Sequence, residues 1–492
     1  MKKCYKNLRE FIDALDKAGE LIRISKAVDP ELEITEITDR VSKSEGGGKA
    51  LLFENVRGSR IPVLINAFGS YKRMAMAMGE ESVGDVSKKM EALLAIKGIP
   101  KDFRGKWDLL GKLFDLSKIP PRLVSHGPCQ EIVLKDNFKL SDLPILKCWP
   151  HDGGRFITLP LVFTKDPETF DRNVGVYRMH VYDDRTTGMH WQTQKDGAIH
   201  AEKVRRGRVG ANGRSPLPVA VVIGADPATV FSGVVPLPYG LDELFFSGFL
   251  RNAPVELVKC KTIDMEIPAE SEIVLEGFVD PDDLRAEGPF GDHTGVYTPV
   301  EWFPAFHIKC ITTRKDPVYL TTIVGKPPME DTYMGKAIEK IFLPVLKKQI
   351  PELVDMNFPM EGTFNNAVIV SIDKNYPHQA NKVAHAIWGL GQLAFTKVVI
   401  IVDKSVNVQD LSAVSLAVFN NIDPKRDLFF VEGPVDTLNH ASGVRDFGSK
   451  VGIDATAKWK TEGCTRTWPE EIEMDQTTKK KVDDRWKELG IG

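Results

Sequence analysis

Apolar residues are spaced differently in three successive stretches of this chain. In the first, residues 1 to about 115, apolar side chains recur at helical intervals between short apolar runs. The helical segments are 7–18, 31–41 and 81–97, and the strand-like runs are 21–24, 50–53 and 63–65. This alternation predicts a small α/β unit, which ends near the proline pair Pro120-Pro121.

In the second stretch, residues 122–325, helical spacing gives way to short β-rich runs separated by turns. The predicted strands are 158–163, 175–182, 189–191, 219–223, 255–258, 272–276 and 306–311. One predicted helix, roughly 240–251, interrupts them. Many short strands at close spacing favour a β-barrel or a β-sandwich.

The third stretch, residues 326–492, returns to alternating helices and strands. The predicted helices are 335–348, 378–390 and 411–419, and the predicted strands are 367–372 and 398–403. Apolar strands joined by helices imply a parallel sheet covered on both faces. The charged tail, 470–492, predicts a helix that packs loosely or on a partner. The chain as a whole is predicted to be a multidomain α+β protein with domains 1–121, 122–325 and 326–492, in keeping with about 150 residues per domain.

Composition narrows the class of protein. The net charge of −3, without long runs of one sign, gives no indication of nucleic acid or an anionic membrane as a partner. The six cysteines are scattered and form no CxxC pair, which indicates reduced thiols in a cytoplasmic protein. We expect no signal peptide, and no integral membrane segment, because no window approaches the roughly 18 apolar residues of a span.

The segment from Glu287 to Gly295 combines acidic residues with turn formers. It reads Glu-Gly-Pro-Phe-Gly-Asp-His-Thr-Gly, so two carboxylates lie five positions apart and an imidazole follows. Its glycines and proline exclude a regular helix and argue against an interior strand. A rigid loop that carries two acids and an imidazole indicates proton transfer. The alternative is a polar turn with solvated carboxylates.

Arg178 is the second candidate for chemistry. It ends the segment Asn173-Val174-Gly175-Val176-Tyr177-Arg178, and a guanidinium can hold a substrate carboxylate through two hydrogen bonds. The alternative is a structural ion pair. On a regular strand Asn173 and Arg178 would point to opposite faces unless a bulge or twist at Gly175 intervenes.

Three further segments are weaker candidates. His190 lies in a donor-rich run, 190–196, and is predicted to be structural rather than a metal ligand. The loop 232–238 has a backbone that could approach a flat cofactor ring, or it is a proline-rich connector, and Glu243 follows it in the next helix. The segment 448–459 could bind a phosphate through amides and Lys450, although it is not a P-loop.

Taken together, these segments resemble the UbiD family of decarboxylases. The matching motifs, in the same order as in the family, are 173–178, Gly224-Ala225-Asp226-Pro227, 254–260, 268–277, 287–295 and Gly448-Ser449-Lys450. The resemblance runs from Leu8 to Trp459. It implies a central split β-barrel, like that of flavin reductases, that binds prenylated FMN between an N-terminal α/β unit and a C-terminal α/β domain.

The resemblance also implies residue roles. Glu287 matches the proton donor, Arg178 the arginine that orients the substrate carboxylate, and Asp292 the second acid; His293 has no assigned role. Asn173 and Glu243 match ligands of Mn²⁺ or Mg²⁺, and K⁺ is a further possible ion. The segments matching cofactor contacts contain Thr158, Asn173, Val176, Tyr177, Arg178, Ser232, Gly233, Val234, Pro236, Glu243 and Lys450.

The chain departs from the family at one metal ligand. The third ligand of the family is a histidine, and Gln194 stands at that place. An amide oxygen is an acceptable but neutral ligand for a hard cation. The alternatives are that His190 or His200 substitutes, or that the metal binds more weakly.

The function implied is the reversible, non-oxidative decarboxylation of an aromatic or α,β-unsaturated acid, with CO₂ as the other product. The resemblance is nearest to the branch with polyprenyl-hydroxybenzoate and menaquinone-pathway decarboxylases. Expected partners are a flavin prenyltransferase that supplies the cofactor and further copies of the chain, as a dimer or hexamer. The alternatives are an aromatic carboxylase of anaerobic metabolism, a subunit of a multi-component carboxylase, and an FMN-binding reductase.

Overall fold

The computed structural model describes residues 4–94, 119–193, 195–207, 216–237, 239–470 and 472–490. Its N-terminal part confirms the predicted α/β unit and adds one helix, α3. The helices are α1 (Leu8–Lys17), α2 (Glu33–Ser42), α3 (Tyr71–Ala77) and α4 (Val83–Leu94), and the strands are β1 (Leu21–Ile24), β2 (Ala50–Phe53) and β3 (Val63–Ile65). Residues 95–97 of the last predicted helix lie outside the described residues.

The middle part is rich in short strands, as its sequence predicts. The strands are β4 (Arg122–Leu123), β5 (Ile132–Leu134), β6 (Phe156–Ile157), β7 (Leu161–Lys165), β8 (Arg172–Val176), β9 (Met179–Asp183), β10 (Thr186–Gly188), β11 (Leu217–Ile223), β12 (Glu256–Lys259), β13 (Glu266–Pro268), β14 (Ile273–Glu287), β15 (Phe290–Gly291), β16 (Tyr297–Thr298), β17 (Glu301–Thr313) and β18 (Tyr319–Leu320). The helices are α5 (Asp196–Gly207), α6 (Pro227–Ser232) and α7 (Glu243–Arg251).

Nine of these strands form one curled antiparallel sheet. Its order is β6-β9-β10-β17-β14-β11-β7-β8, and β5 pairs with β17. β8 and β9 follow each other in sequence but lie near opposite ends of this order, so the chain crosses from one edge to the other at residues 177–178. The strand predicted for 175–182 is therefore wrong as a single element, and Arg178 lies at the crossing.

Other details of this part also correct the prediction. Residues 158–160 and 189–191 are not in strands, and three helices are found where one was expected. α6 begins because Asp226 caps it, with the Thr229 amide donating to the Asp226 carboxylate at 3.1 Å. β18 pairs with β3, which joins the middle part to the N-terminal sheet.

The C-terminal part is an α/β layer structure. Its elements are α8 (Glu330–Gln349), β19 (Leu353–Asn357), β20 (Ala367–Ile372), α9 (Gln379–Trp388), β21 (Val398–Asp403), α10 (Leu411–Asn421), α11 (Pro424–Asp427), β22 (Leu428–Pro434), β23 (Phe447–Asp454) and α12 (Gln476–Arg485). The sheet order is β19-β20-β21-β23-β22. The central three strands are parallel, as expected, but both edge strands are antiparallel, so the sheet is mixed.

Separate clusters of buried apolar residues stabilise the N-terminal and middle parts and the C-terminal sheet. One core joins the N-terminal helices to a face of the curled sheet, through residues such as Phe11, Phe163 and Phe231. The C-terminal sheet has a core of its own, which includes Val370 and Ile401. Among the described residues, no helix is both long and apolar enough to cross a membrane.

Candidate active site

Glu287 is the last residue of β14, and its side chain is fully buried. The expectation that Glu287 belongs to the loop is therefore corrected. β14 keeps pairing with β17 up to Glu287 opposite Glu301, so the backbone stays extended to that point. Gly288 then adopts a φ of 102°, which favours glycine, and turns the chain away from the sheet.

Arg178 connects the two acids of the predicted site. Its Nε donates to Glu287 Oε1 at 2.9 Å, and its Nη1 donates to an oxygen of Asp292. Its Nη2 donates to Thr298 Oγ1 at 3.2 Å, and the guanidinium lies 4.5 Å from the centre of the Phe290 ring. Every nitrogen of the guanidinium therefore donates to the segment that runs from the end of β14 through β16.

Asp292 lies in a small hairpin formed by β15 and β16. The hairpin is held to the body of the protein by Asp152, which accepts from the Gly291 amide at 2.8 Å and from the Trp149 amide at 2.9 Å. His293 Nδ1 lies 2.9 Å from Asp292 Oδ1. The ring of His293 packs edge-on against Phe364, so the hairpin touches the C-terminal part of the chain.

His190 contacts Glu287 directly, which the sequence does not reveal. Its Nδ1 lies 2.7 Å from Glu287 Oε1, and its side chain is only 10% exposed. Gly188, two residues before His190, also lies close to Glu287, since a Cβ there would lie 3.2 Å from Glu287 Oε2. No spacing rule connects His190 with a glutamate 97 positions later.

The charges of this cluster shift the pKa values of its members. Burial alone would raise the pKa of Glu287, but His190 and Arg178 outweigh burial and hold it below its ordinary value. Burial is likewise outweighed at Asp292, where His293 and then Arg178 hold the pKa well below its usual range. Burial lowers the pKa of His293, but the carboxylate of Asp292 raises it to about 9. The cluster is thus built to keep both acids ionised.

Glu243, the first residue of α7, lies against β8, the strand that carries Asn173. Glu243 is buried and accepts from the Val174 amide at 2.9 Å. Burial raises the pKa of Glu243 to about 8, and no basic side chain pairs with it among the described residues. Among the residues that the structure describes, the side-chain nitrogen of Asn173 is buried without a hydrogen-bond partner. A buried carboxylate without a basic partner would be compensated by a hard cation, which takes oxygen ligands.

The other predicted metal ligands are placed differently. Gln194 lies outside the described residues. His200 hydrogen-bonds Thr164 at 2.9 Å, and His190 contacts Glu287. These hydrogen bonds do not include Glu243. Among the described residues, no group of three histidine, cysteine or acidic side chains has the arrangement of a metal site.

The predicted cofactor segments line the crossing between β8 and β9. The Val176 amide donates to the Gly233 carbonyl at 3.1 Å, which holds the segment with Ser232, Val234 and Pro236 beside β8. Tyr177 is buried, and burial raises its pKa to about 12. Thr158 hydrogen-bonds Thr321 at 2.8 Å. These segments therefore surround the strand crossing that carries Arg178.

Lys450 is placed in the C-terminal sheet. It lies in β23, whose backbone pairs with β21 and β22, so its amides are engaged in the sheet. The side chain is buried and donates to the Ala394 carbonyl, and burial lowers its pKa. Residues 447–454 therefore form a strand of the sheet and not a loop of free amides.

A cavity of about 590 Å³ lies away from these residues. It is bounded by the first residues of the chain, α7 and β12, and its wall includes Cys4, Arg122, Asp226 and Arg251. None of the predicted catalytic or metal-binding residues lines it. Each of its basic side chains is paired, as in the ion pair between Arg251 and Asp226.

Three family models match the chain in succession. They are described as the N-terminal, Rift-related and C-terminal domains of 3-octaprenyl-4-hydroxybenzoate carboxy-lyase, and they match residues 12–93, 122–327 and 332–455. The fold is that of the carboxy-lyases to which these models belong. The chain belongs to the UbiD family.

Full-length relatives and solved structures agree with this membership. Uncharacterized proteins of Archaeoglobus fulgidus and Aquifex aeolicus are 48% and 50% identical, with at least 98% of each chain covered. The closed form of Sedimentibacter hydroxybenzoicus vanillic acid decarboxylase is 29% identical with a TM-score of 0.85, and 99% of both chains is covered. An evolved dimeric form of the UbiD-class enzyme HmfF from Pelotomaculum thermopropionicum, in complex with prFMN, is 28% identical with a TM-score of 0.78, covering 98% of this chain and 100% of that one.

Proposed function

We propose that this protein catalyses the non-oxidative decarboxylation of an aromatic or α,β-unsaturated carboxylic acid with prenylated FMN. The observation that carries the proposal is the buried arrangement of Glu287, Arg178 and Asp292, in which one guanidinium holds two carboxylates. The similar solved structures include a decarboxylase of vanillic acid and an enzyme in complex with prFMN.

The reaction replaces a carboxylate by a proton: R–COO⁻ and H⁺ give R–H and CO₂. When bound, prenylated FMN supplies the electron sink that an sp² carbon itself lacks. Arg178 orients the acid, because its guanidinium is fixed by three hydrogen bonds and so offers a rigid positive charge to the substrate carboxylate. Glu287, an anion at rest, must first take up a proton, and it then gives this proton to the carbon that has lost CO₂.

Asp292 keeps Arg178 in place. Its low pKa keeps it ionised at neutral pH, so its attraction for the guanidinium persists throughout the reaction. His293 in turn neutralises Asp292, and its pKa of about 9 means that it is a cation at neutral pH. With both acids ionised, the charges of Glu287, Arg178, Asp292 and His293 sum to zero.

Asn173, Glu243 and, as the third ligand, Gln194 would hold Mn²⁺ or Mg²⁺, which would supply positive charge to bind the cofactor phosphate. The uncompensated carboxylate of Glu243 supports this role, since a divalent cation would supply the missing charge. Lys450 would bind phosphate, K⁺ would be a second ion, and the remaining cofactor contacts would come from Thr158, Val176, Tyr177 and the segment 232–236.

The proposal extends to the organisation of the protein. The chain divides into domains 1–121, 122–325 and 326–492, receives its cofactor from a flavin prenyltransferase and forms a homo-oligomer. Its substrate is an aromatic or α,β-unsaturated acid, a class that includes the hydroxybenzoates of quinone synthesis. Carboxylation is the same reaction in reverse and uses the same residues.

The test is co-expression with a flavin prenyltransferase under anaerobic conditions. The mass and absorbance of the bound cofactor are recorded, and CO₂ release is measured with vanillate, 3,4-dihydroxybenzoate and cinnamate. We expect prenylated FMN and CO₂ release from at least one acid. Ordinary FMN, with oxidation of NADH or NADPH and no CO₂ release, would instead favour the FMN-binding reductase.

A further inference from the structure

The two oxygens of the Glu287 carboxylate are held differently. Oε1 accepts from Arg178 Nε at 2.9 Å and lies 2.7 Å from His190 Nδ1. Oε2 is also buried, but among the described residues it has no hydrogen-bond partner. A buried carboxylate oxygen normally accepts a hydrogen bond, so we expect a donor for Oε2 close by.

The hydroxyl of Tyr182 is a donor at this place. Tyr182 Oη is buried and, in the described part of the chain, has no partner either. Both atoms lie beside Gly188, because a Cβ built there would stand 2.9 Å from Tyr182 Oη and 3.2 Å from Glu287 Oε2. The two oxygens are therefore separated by no more than the sum of these distances. One water can bridge such a separation, and a small movement of either side chain would join the oxygens directly.

A β-bulge directs Tyr182 towards Glu287. The register between β9 and β10 shifts between their two residue pairs, and Tyr182 is the residue of β9 that this shift leaves over. A bulge changes the direction of the side chain that it carries, and bulges occur often next to active sites. Gly188 ends β10 and has no side chain that would separate the phenol from the acid.

The charged and titratable groups around the phenol leave Glu287 as its acceptor. Arg285 Cζ lies 5.8 Å from the centre of the Tyr182 ring, and this guanidinium is paired with Asp283 at 3.4 Å. The ring of His180 lies 5.0 Å away, and its Nδ1 accepts from a backbone amide. Burial, and then the charge of Glu287, raise the pKa of Tyr182 to about 12, so the hydroxyl keeps its proton at neutral pH and can donate.

We propose that Tyr182 is a positioning residue for Glu287, whose Oε2 accepts from the Tyr182 hydroxyl, directly or through one water, beside Gly188. This role rests on the proposed decarboxylation, in which Glu287 is the proton donor. With Oε1 held by Arg178 and Oε2 by Tyr182, the carboxylate has a fixed orientation. The phenol also favours the carboxylate over the carboxylic acid, so it makes Glu287 a stronger acid towards the carbon that has lost CO₂.

A crystal structure of the cofactor-free protein tests the contact without any activity. We expect the Tyr182 hydroxyl within hydrogen-bond distance of Glu287 Oε2, or of one ordered water that also bonds Oε2. A Tyr182 hydroxyl that bonds another acceptor, or that is separated from Oε2 by more than one water, would overturn the proposal.

The pH dependence of net CO₂ release by the cofactor-loaded enzyme tests the role. Release requires protonated Glu287, so it is lost as the pH rises through the pKa of this group. Tyr182→Phe removes the donor to the carboxylate, so this pKa should rise and the loss of release should move upwards by about one pH unit. Gly188→Ala, whose methyl would separate the two oxygens, should act in the same direction. The controls are Tyr376→Phe, at an exposed position, and Gly443→Ala, where a Cβ meets nothing within 4 Å, and both should keep the parent profile.

A merely structural role would lower the rate without moving the profile. An unshifted profile in Tyr182→Phe would therefore overturn the proposal at any rate of release. Exchange of ¹³C-bicarbonate into the acid substrate breaks and re-forms the carbon–carbon bond without a proton from Glu287, so it should persist in Tyr182→Phe. Loss of exchange together with release would show a displaced active site and would also overturn the proposal.

Failure of the proposed function has a different result. If the parent releases no CO₂ from vanillate, 3,4-dihydroxybenzoate or cinnamate, the decarboxylation is contradicted and the role of Tyr182 falls with it. The crystal structure still decides whether Tyr182 and Glu287 are joined.

Discussion

Arg178 Nε lies 2.9 Å from Glu287 Oε1, although the two residues are 109 positions apart in sequence. The contact exists because the chain crosses between the ends of the curled sheet at residues 177–178, where β14 also ends. The same guanidinium reaches Asp292 and Thr298. The geometry of both acids therefore depends on one side chain.

Replacement of Arg178 by lysine should inactivate the enzyme while leaving it folded. An ammonium is a single point charge and lacks the planar set of donors that hydrogen-bonds Glu287, Asp292 and Thr298. We therefore expect kcat/KM to fall by about 10²-fold or more. Steady-state CO₂ release measures this loss. Arg122→Lys is the control, because Arg122 is 63% exposed in its pair with Glu256, and such pairs contribute little. Comparable activity in Arg178→Lys and the parent would remove Arg178 from the mechanism.

The pair of Asp292 and His293 should make stability depend on pH. The pKa of His293 is raised from 6.5 to about 9, so the stabilisation it gives is fully present below pH 6.5 and is lost as the pH rises through 9. The difference in unfolding free energy between the parent and His293→Gln, from urea titrations, should therefore shrink from pH 6.5 to above 9.

A difference that stays constant over this range would show that His293 is not held as a cation by Asp292. His126→Gln, at an exposed position, controls for the loss of an imidazole. In Asp292→Asn the pKa of His293 should fall, because burial then acts on the imidazolium without its anionic partner.

Loss of Glu243 should remove the metal. Glu243→Ala deletes the buried carboxylate that we assign to the cation. Elemental analysis after co-expression should therefore show a metal occupancy at least about 10-fold below that of the parent. Glu256→Ala, which removes a carboxylate paired with Arg122, is the control. Parent-like metal content in Glu243→Ala would contradict the assignment. Gln194→Ala and Gln194→His, measured beside it, test the third ligand: loss of metal in the first assigns Gln194.

Much of the fold follows from apolar spacing. Helices such as α1 and strands such as β20 and β21 were predicted because their apolar faces are regular. The missed elements have weaker patterns. α6 has six residues that are all buried, and β22 is an edge strand of half-buried and exposed residues, so neither shows a clear period.

The sequence indicated which residues belong to the candidate site, but not how their side chains are arranged. The Gly/Pro segment after Glu287 marks a loop, and the order of motifs indicates the UbiD family, which the family models confirm. The crossing at 177–178 depends on which strands pair, and strand pairing is not encoded in local spacing. For the same reason the contact between His190 and Glu287 could not be predicted.

The proton transfer from Glu287 is tested most directly in Glu287→Gln, prepared with prenylated FMN. The amide keeps the size of the side chain and can still bond Arg178, but it has no proton to give to carbon. We expect this variant to retain the cofactor and to exchange ¹³C-bicarbonate into the acid substrate, while net CO₂ release falls by about 10²- to 10⁴-fold. Net release at the parent rate would contradict the role of Glu287 as the proton donor.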